Sequence, residues 1–134
     1  MPQDLITRTS SLSVAETVER VRAGLDERAL TLFALIDHAK GARDAGFTLA
    51  DEVLLVFGNP AAGTPVMQAD PRAGLELPLR LLIWDDAGVT RLAYRDLETL
   101  AGSFALADRV DTLHKLALVM KLLLSEVPEA ADPS

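Results

Sequence analysis

Two side chains that could work as an acid–base pair stand next to each other, Asp37 and His38. A carboxylate can orient an imidazole and raise its basicity, and an imidazole titrates near neutrality. His38 is therefore the leading candidate for a general acid or base, with Asp37 or another carboxylate as its partner. Neighbours in a strand point to opposite faces, so the competing role is that one of the two caps the helical segment "AKGARDAG" that follows. A second constellation, Asp108, Asp111 and His114, has a spacing that can place oxygen and nitrogen ligands on one helix face, and reads more simply as a surface charge pattern. Serine chemistry finds no support, because Ser103 in "AGSFA" lacks the second glycine of a nucleophile elbow. The chain has no cysteine and only two histidines, which removes disulfides, thiolate sites and a multi-histidine zinc site. No metal and no cofactor is expected.

Binding chemistry is better represented than catalysis. The stretch "FGNPAAGTPVMQADP", Phe57 to Pro71, carries Asn59-Pro60 and Thr64-Pro65. Each pair is an N-cap residue followed by proline at the first helical position, where the missing N–H costs nothing. Either a helix starts at Pro60 and tolerates Pro65, or a tight loop leads into a helix starting at Pro65; both end near Asp70, ahead of Pro71. The spacing is not that of a phosphate loop, although free N–H groups at such a helix start can hold a carboxylate or phosphate. Trp84 and Tyr94 can line an apolar pocket with Phe57 and Met67, their N–H and O–H serving as polar handles; the competing role is core or subunit interface. Together these residues define an expected site for a small apolar or carboxylate-bearing ligand near His38, Asn59, Thr64, Met67, Trp84 and Tyr94.

The elements that must position these groups are legible in the spacing. "SVAE" is a capping box, with Ser13 as N-cap and Glu16 three residues on, and Val14, Val18, Val21 and Leu25 continue it as an apolar stripe. A helix over about 14–27 follows, preceded by a short strand in "DLITRT". "ALTLFALID" and "EVLLVFG" read as strands, the second apolar on both sides and so central. Alternation in the first would place Leu30, Leu32, Ala34 and Ile36 on one face and Phe33, Leu35 and Asp37 on the other. Two further runs joined by "DDAG" form a hairpin pairing residues 79–85 with 89–95. After a helical turn in "RDLETLAGSF", a last helix carries Leu106, Val110, Leu113, Leu116, Met120 and Leu123. Leu118, Val119, Leu122 and Leu124 widen that stripe enough to suggest burial on more than one side.

This order describes one α+β domain over residues 1–127, helices packing on one face of a mostly antiparallel sheet, with 128–134 as a flexible tail. With 134 residues the chain can build a single core. Its net charge of −7, from 20 acidic against 13 basic residues and with no basic run, argues against nucleic acid and anionic membranes as partners. No apolar run approaches the roughly 20 residues that span a bilayer, and no basic, apolar leader is visible. A cytoplasmic protein is the resulting expectation.

The run from Phe33 through "YRD" at Tyr94–Asp96 resembles the domain of unknown function 302 family. The matching motifs are "IDHA" at Ile36–Ala39, "FGNPAAGTPVM" at Phe57–Met67, "GLELPLRLLIW" at Gly74–Trp84, and Tyr94. Val66 stands where the family pattern has leucine. The resemblance implies a two-layer sandwich of β-α-β-β-β-β-α order, similar to the TATA-binding-protein-like class and often a dimer. It implies no activity for any residue here, and a fold alone does not license a function. A homodimeric ligand-binding or interaction domain is the leading expectation; an enzyme using His38 as general acid or base is the alternative.

Overall fold

The computed structural model describes residues 4–131. Five strands form one sheet in the order β1-β5-β4-β3-β2, every neighbouring pair antiparallel. They are β1 (Leu5–Ser10), β2 (Thr31–Asp37), β3 (Glu52–Gly58), β4 (Leu79–Asp86) and β5 (Val89–Arg95). Four α-helices accompany them: α1 (Val14–Glu27), α2 (His38–Asp44), α3 (Pro60–Ala69) and α4 (Val110–Leu124). Because β1 and β2 are the two opposite edges, α1 has to carry the chain across the whole sheet. Short 3-10 segments at Pro71–Leu75, Leu97–Gly102 and Ala107–Arg109 make the remaining connections.

One face of the sheet makes the core. Alternate residues Val53, Leu55 and Phe57 of β3, Leu79, Leu81 and Ile83 of β4, and Leu92 and Tyr94 of β5 join a single apolar cluster. Val14, Val18, Val21 and Leu25 of α1, with Leu113, Leu116, Met120 and Leu123 of α4, close over it. The capping box of α1 is formed as expected, Ser13 Oγ accepting from the Glu16 N–H and Glu16 from the Ser13 N–H. Leu54, Val56, Leu82 and Trp84 fall on the opposite face, outside that cluster and half-buried. No helix among the described residues is long and apolar enough to cross a membrane.

Two expectations are corrected. The last helix buries one side only: Leu113, Leu116, Ala117, Met120, Leu123 and Leu124 face inward, while Val110, Leu118 and Leu122 stay exposed. It lies on the outside of the helical layer, so a wide apolar stripe does not by itself imply burial on two sides. In β2 the strict alternation breaks. Leu32 pairs with Phe57 and Ala34 with Val56, so the register shifts at Phe33. Leu32, Leu35 and Asp37 therefore share the core-side face, and Ala34 and Ile36 the other.

The start of the segment expected as a tail is tied down. The Ser11 N–H donates to the Pro128 carbonyl at 2.9 Å and Thr9 Oγ1 to the Ala130 carbonyl at 2.6 Å. Arg8 reaches from β1 to the end of α4, donating to the carbonyls of Leu124 and Val127. The Leu124 carbonyl, which also accepts the Val127 N–H at 3.0 Å, lies at the negative end of the α4 dipole, which a guanidinium suits. Residues 132–134 lie outside the described residues.

The end of α1 carries a local strain. The Leu30 N–H reaches back to the Leu25 carbonyl and the Ala29 N–H to Asp26, a Schellman-type closure that leaves Ala29 at φ 53°. That left-handed position costs an L side chain about 1 kcal/mol or more and glycine nothing. Ala29→Gly should therefore raise the free energy of unfolding in urea by roughly 0.5–1 kcal/mol, the strain relief outweighing glycine's added freedom in the unfolded chain.

Candidate functional site

The proline-rich stretch after β3 is a single helix started at the first of its two signatures. Asn59 is the N-cap, its Oδ1 accepting the Ala61 N–H at 2.9 Å. Its carbonyl accepts the N–H groups of Ala62 at 2.9 Å and Gly63 at 3.1 Å. The helix start therefore satisfies itself, and these N–H groups are not held open for an anion. Pro65 sits inside the helix, and its own carbonyl accepts Arg109 Nε at 3.0 Å.

Between α3, β2 and the chain leading into β4 lies a cavity of about 240 Å³. Phe33, Pro60, Met67, Leu77, Pro78 and Leu116 supply most of its apolar wall; Asn59 and Thr64 are its polar members and are exposed at the rim. Gly58 and Gly63 also line it; a Cβ on Gly58 would stand 3.7 Å from Pro78 Cβ and 3.9 Å from Phe33 Cε2, and one on Gly63 3.7 Å from Leu77 Cδ1, all ordinary contact distances. An apolar cavity of 150 Å³ already accepts benzene, so this one has room for a ligand of that class or somewhat larger.

The expected site is thus partly assembled. Asn59, Thr64 and Met67 share the cavity. Trp84 and Tyr94 do not meet, because they project to opposite faces of the sheet. Trp84 pairs with Glu52 and Arg91 on the face away from the helices, whereas Tyr94 is buried in the core cluster. Tyr94 borders a separate depression of about 200 Å³ with Arg80 and Arg95. Both guanidiniums are already engaged, Arg80 by Glu76 at 2.9 Å and Arg95 by Asp4. Burial, with a smaller contribution from Asp96, raises the pKa of the Tyr94 hydroxyl.

His38 is exposed at the first position of α2 and outside the cavity lining. Asp37 takes the capping role: its Oδ1 accepts the Lys40 N–H at 2.9 Å. His114 Nδ1 lies 2.7 Å from Glu98, a neighbour that the Asp108–Asp111–His114 spacing did not suggest. Among the described residues no cluster of three or more His, Asp or Glu side chains could hold a metal ion.

Phe33, Leu77, Pro78 and Leu116 were not foreseen as lining residues. Leu77, Pro78 and Leu116 meet α3 only through the fold, and Phe33 enters through a register shift that alternation cannot reveal.

Where α3 ends, a buried carboxylate fastens it to the approach to α4. Asp70 is 4% exposed and accepts from the Arg72 backbone N–H (3.0 Å), from Arg72 Nε (3.0 Å) and Nη2 (2.8 Å), and from the Ala105 N–H (2.9 Å). Arg72 first, then the Ala105 N–H, hold its pKa well below the usual carboxylate range. These four bonds make Asp70 the fastening between the end of α3 and the approach to α4.

Comparison with known proteins follows this geometry. Residues 6–123 match the family model described as "Domain of unknown function DUF302". The crystal structure of an uncharacterized conserved protein DUF302 from Bacillus stearothermophilus superposes with a TM-score of 0.83 at 17% identity, covering 94% of this chain and 99% of that one. At that identity the likeness shows the fold. Two proteins named as fluoride-specific ion channels are also similar. FluC 1 of Brucella suis biovar 1 (strain 1330) is 43% identical over 98 residues, 72% of this chain and 39% of that protein. FluC 2 of Brucella melitensis biotype 1 gives the same identity and span, with 36% of its length matched. This chain thus covers well under half the length of these curated relatives.

The Asp70 fastening makes a pH-dependent prediction. A carboxyl whose folded pKa is depressed stabilises the fold above its unfolded pKa, and the contribution is lost as pH falls toward the folded value. Asp70→Asn should lower the thermal midpoint at pH 7, and the variant should lose less further stability than the parent between about pH 5 and pH 2. Equal slopes for the two proteins would contradict the assignment.

Proposed function

The chain belongs to the DUF302 family of domains of unknown function, and on that premise we propose that it is a homodimeric binding domain whose ligand site is the cavity beneath α3. The single observation that carries this is an apolar space of about 240 Å³ walled by Phe33, Met67, Leu77 and Leu116 and rimmed by two polar side chains. Small-molecule sites have that composition, an apolar body with few convergent polar groups. The side chain of Thr64 and the amide of Asn59 can donate to an acceptor at the mouth, so the ligand class is a short apolar molecule ending in a carbonyl or carboxylate. Support for self-association comes from β2, an edge strand that exposes Phe33, Leu35 and Ile36.

Octanoate carries that terminal carboxylate and indole tests the apolar body alone, and both are suitable probes in a thermal-shift titration. Binding to the native state alone raises stability by RT ln(1 + [L]/Kd), about 2.7 kcal/mol at a hundredfold excess over Kd. The midpoint should climb with the logarithm of probe concentration. Gly63→Leu, which fills the space from a helical position, should abolish the climb while keeping the parent fold by circular dichroism. If it leaves the response intact, the cavity is not the site.

A second reading is a domain that works in one assembly with a membrane channel. It rests on the 43% identity to a segment of proteins named as fluoride-specific ion channels. Co-expression of this chain with the remaining segment of such a relative, followed by detergent extraction and affinity capture of that segment, should retain the chain. Its complete loss in the wash would remove this reading.

A further inference from the structure

We infer that a second copy of this chain pairs with the β2 edge and closes the mouth of the α3 cavity through Phe33, so that dimerisation and ligand binding are coupled. This rests on the cavity being the ligand site.

The two sheet edges are treated differently. A sheet edge exposes unpaired N–H and C=O groups, and proteins guard it with charges, proline or a covering segment. On β1, Arg8 sits within the strand, and Pro128 and Ala130 accept from Ser11 and Thr9 alongside it. On β2, Thr31 to Ile36 contain no charge and no proline, and Asp37 at its end is the one charged residue of the strand. Three large apolar side chains of the strand are exposed, Phe33 (49%), Leu35 and Ile36. They alone expose on the order of 250 Å², taking a large side chain as about 200 Å². That is close to a third of the roughly 800 Å² that each partner contributes to a standard interface.

The occupant this edge fits is itself. An antiparallel pairing of two β2 strands centred on Leu35 keeps the faces set by the register shift, with Ala34 opposite Ile36 and Leu35 opposite its own copy. No like charges meet, because Asp37, the one charged residue of the strand, lies opposite Phe33 of the second copy. Such an isologous contact is closed by a twofold axis and leaves neither β2 edge open. Phe33 belongs to both features at once, lining the cavity and standing out from the edge. A partner strand that packs on its ring fixes one wall of the cavity. A ligand that packs on the inner side of the ring fixes one element of the interface. Linkage then requires each event to strengthen the other by the same factor.

Sedimentation equilibrium of the full chain, with and without saturating indole, reads the coupling. The parent should be a dimer, and indole should lower its dimer dissociation constant at least about fivefold. Ile36→Lys places a charge on the edge and does not line the cavity, so it should give a folded monomer that binds indole more weakly by the same factor. Leu35→Lys provides an independent second variant should Ile36→Lys fail to fold. A monomeric parent at high concentration, or folded variants that remain dimeric, would overturn the β2 interface. A parent dimer whose dissociation constant is unmoved by bound indole would overturn the coupling and leave the cavity reading standing. A dimer that binds neither indole nor octanoate would instead remove the cavity reading, and the coupling with it.

Discussion

One constraint organises this molecule: only one face of the antiparallel sheet has to be sealed from water, and two helices do it. The alternation of Val53, Leu55 and Phe57 against Leu79, Leu81 and Ile83 puts large side chains in one layer. Fully burying each is worth about 1.5–3 kcal/mol, which far exceeds any single polar contact on the surface. Since β1 and β2 are opposite edges, α1 must cross that layer, and α4 fills what α1 leaves uncovered. The apolar residues of the other face, Leu54, Val56, Leu82 and Trp84, remain half-buried because no equivalent pair of helices lies over them in the core cluster.

Polar side chains then decide how those helices are held. Three arginines gather at the end of α4. Arg8 donates to Leu124 and Val127, Arg20 to the Glu126 carbonyl, and Arg28 to the Leu122 carbonyl and the Glu126 carboxylate. They come from β1 and α1, so the negative end of the α4 dipole becomes the junction of three elements. Asp70 does the corresponding work at the end of α3, joining it to the segment before α4 through Ala105. With both helices anchored, Leu116 of α4 faces α3, and the space between them and Phe33 persists as a cavity instead of collapsing.

How much of this could be read beforehand varies by kind of signal. Capping chemistry was legible because it is local: Ser13 with Glu16, Asn59 with Pro60, and Asp37 ahead of α2 each involve residues one to three apart. The hairpin was legible for the same reason. Residues 87 and 88 take the positive φ values (50° and 93°) that its two-residue turn needs, and the Gly88 N–H is held by Asp85. The candidate site was legible only in its local third, Asn59, Thr64 and Met67 along one helix. Trp84 and Tyr94 looked like partners because both are aromatic and both belong to the hairpin. The cross-strand register places them on opposite faces, and register is a property of the pairing rather than of either strand.

The amino-acid sequence by itself determined the type and order of the elements, the caps that start the helices, the family and the absence of cysteine chemistry. Each of these depends on residues within a few positions of one another, where backbone propensity and hydrophobic period act directly. Only the tertiary structure decided that β2 shifts register at Phe33, that Leu118 and Leu122 face solvent, that Asp70 locks onto Ala105, and that Gly58, Gly63, Leu77 and Leu116 enclose one space. The physical reason is common to all four. Each is settled by which surfaces lie against each other once the core is sealed, and residues as distant as 33 and 116 become neighbours only through that packing.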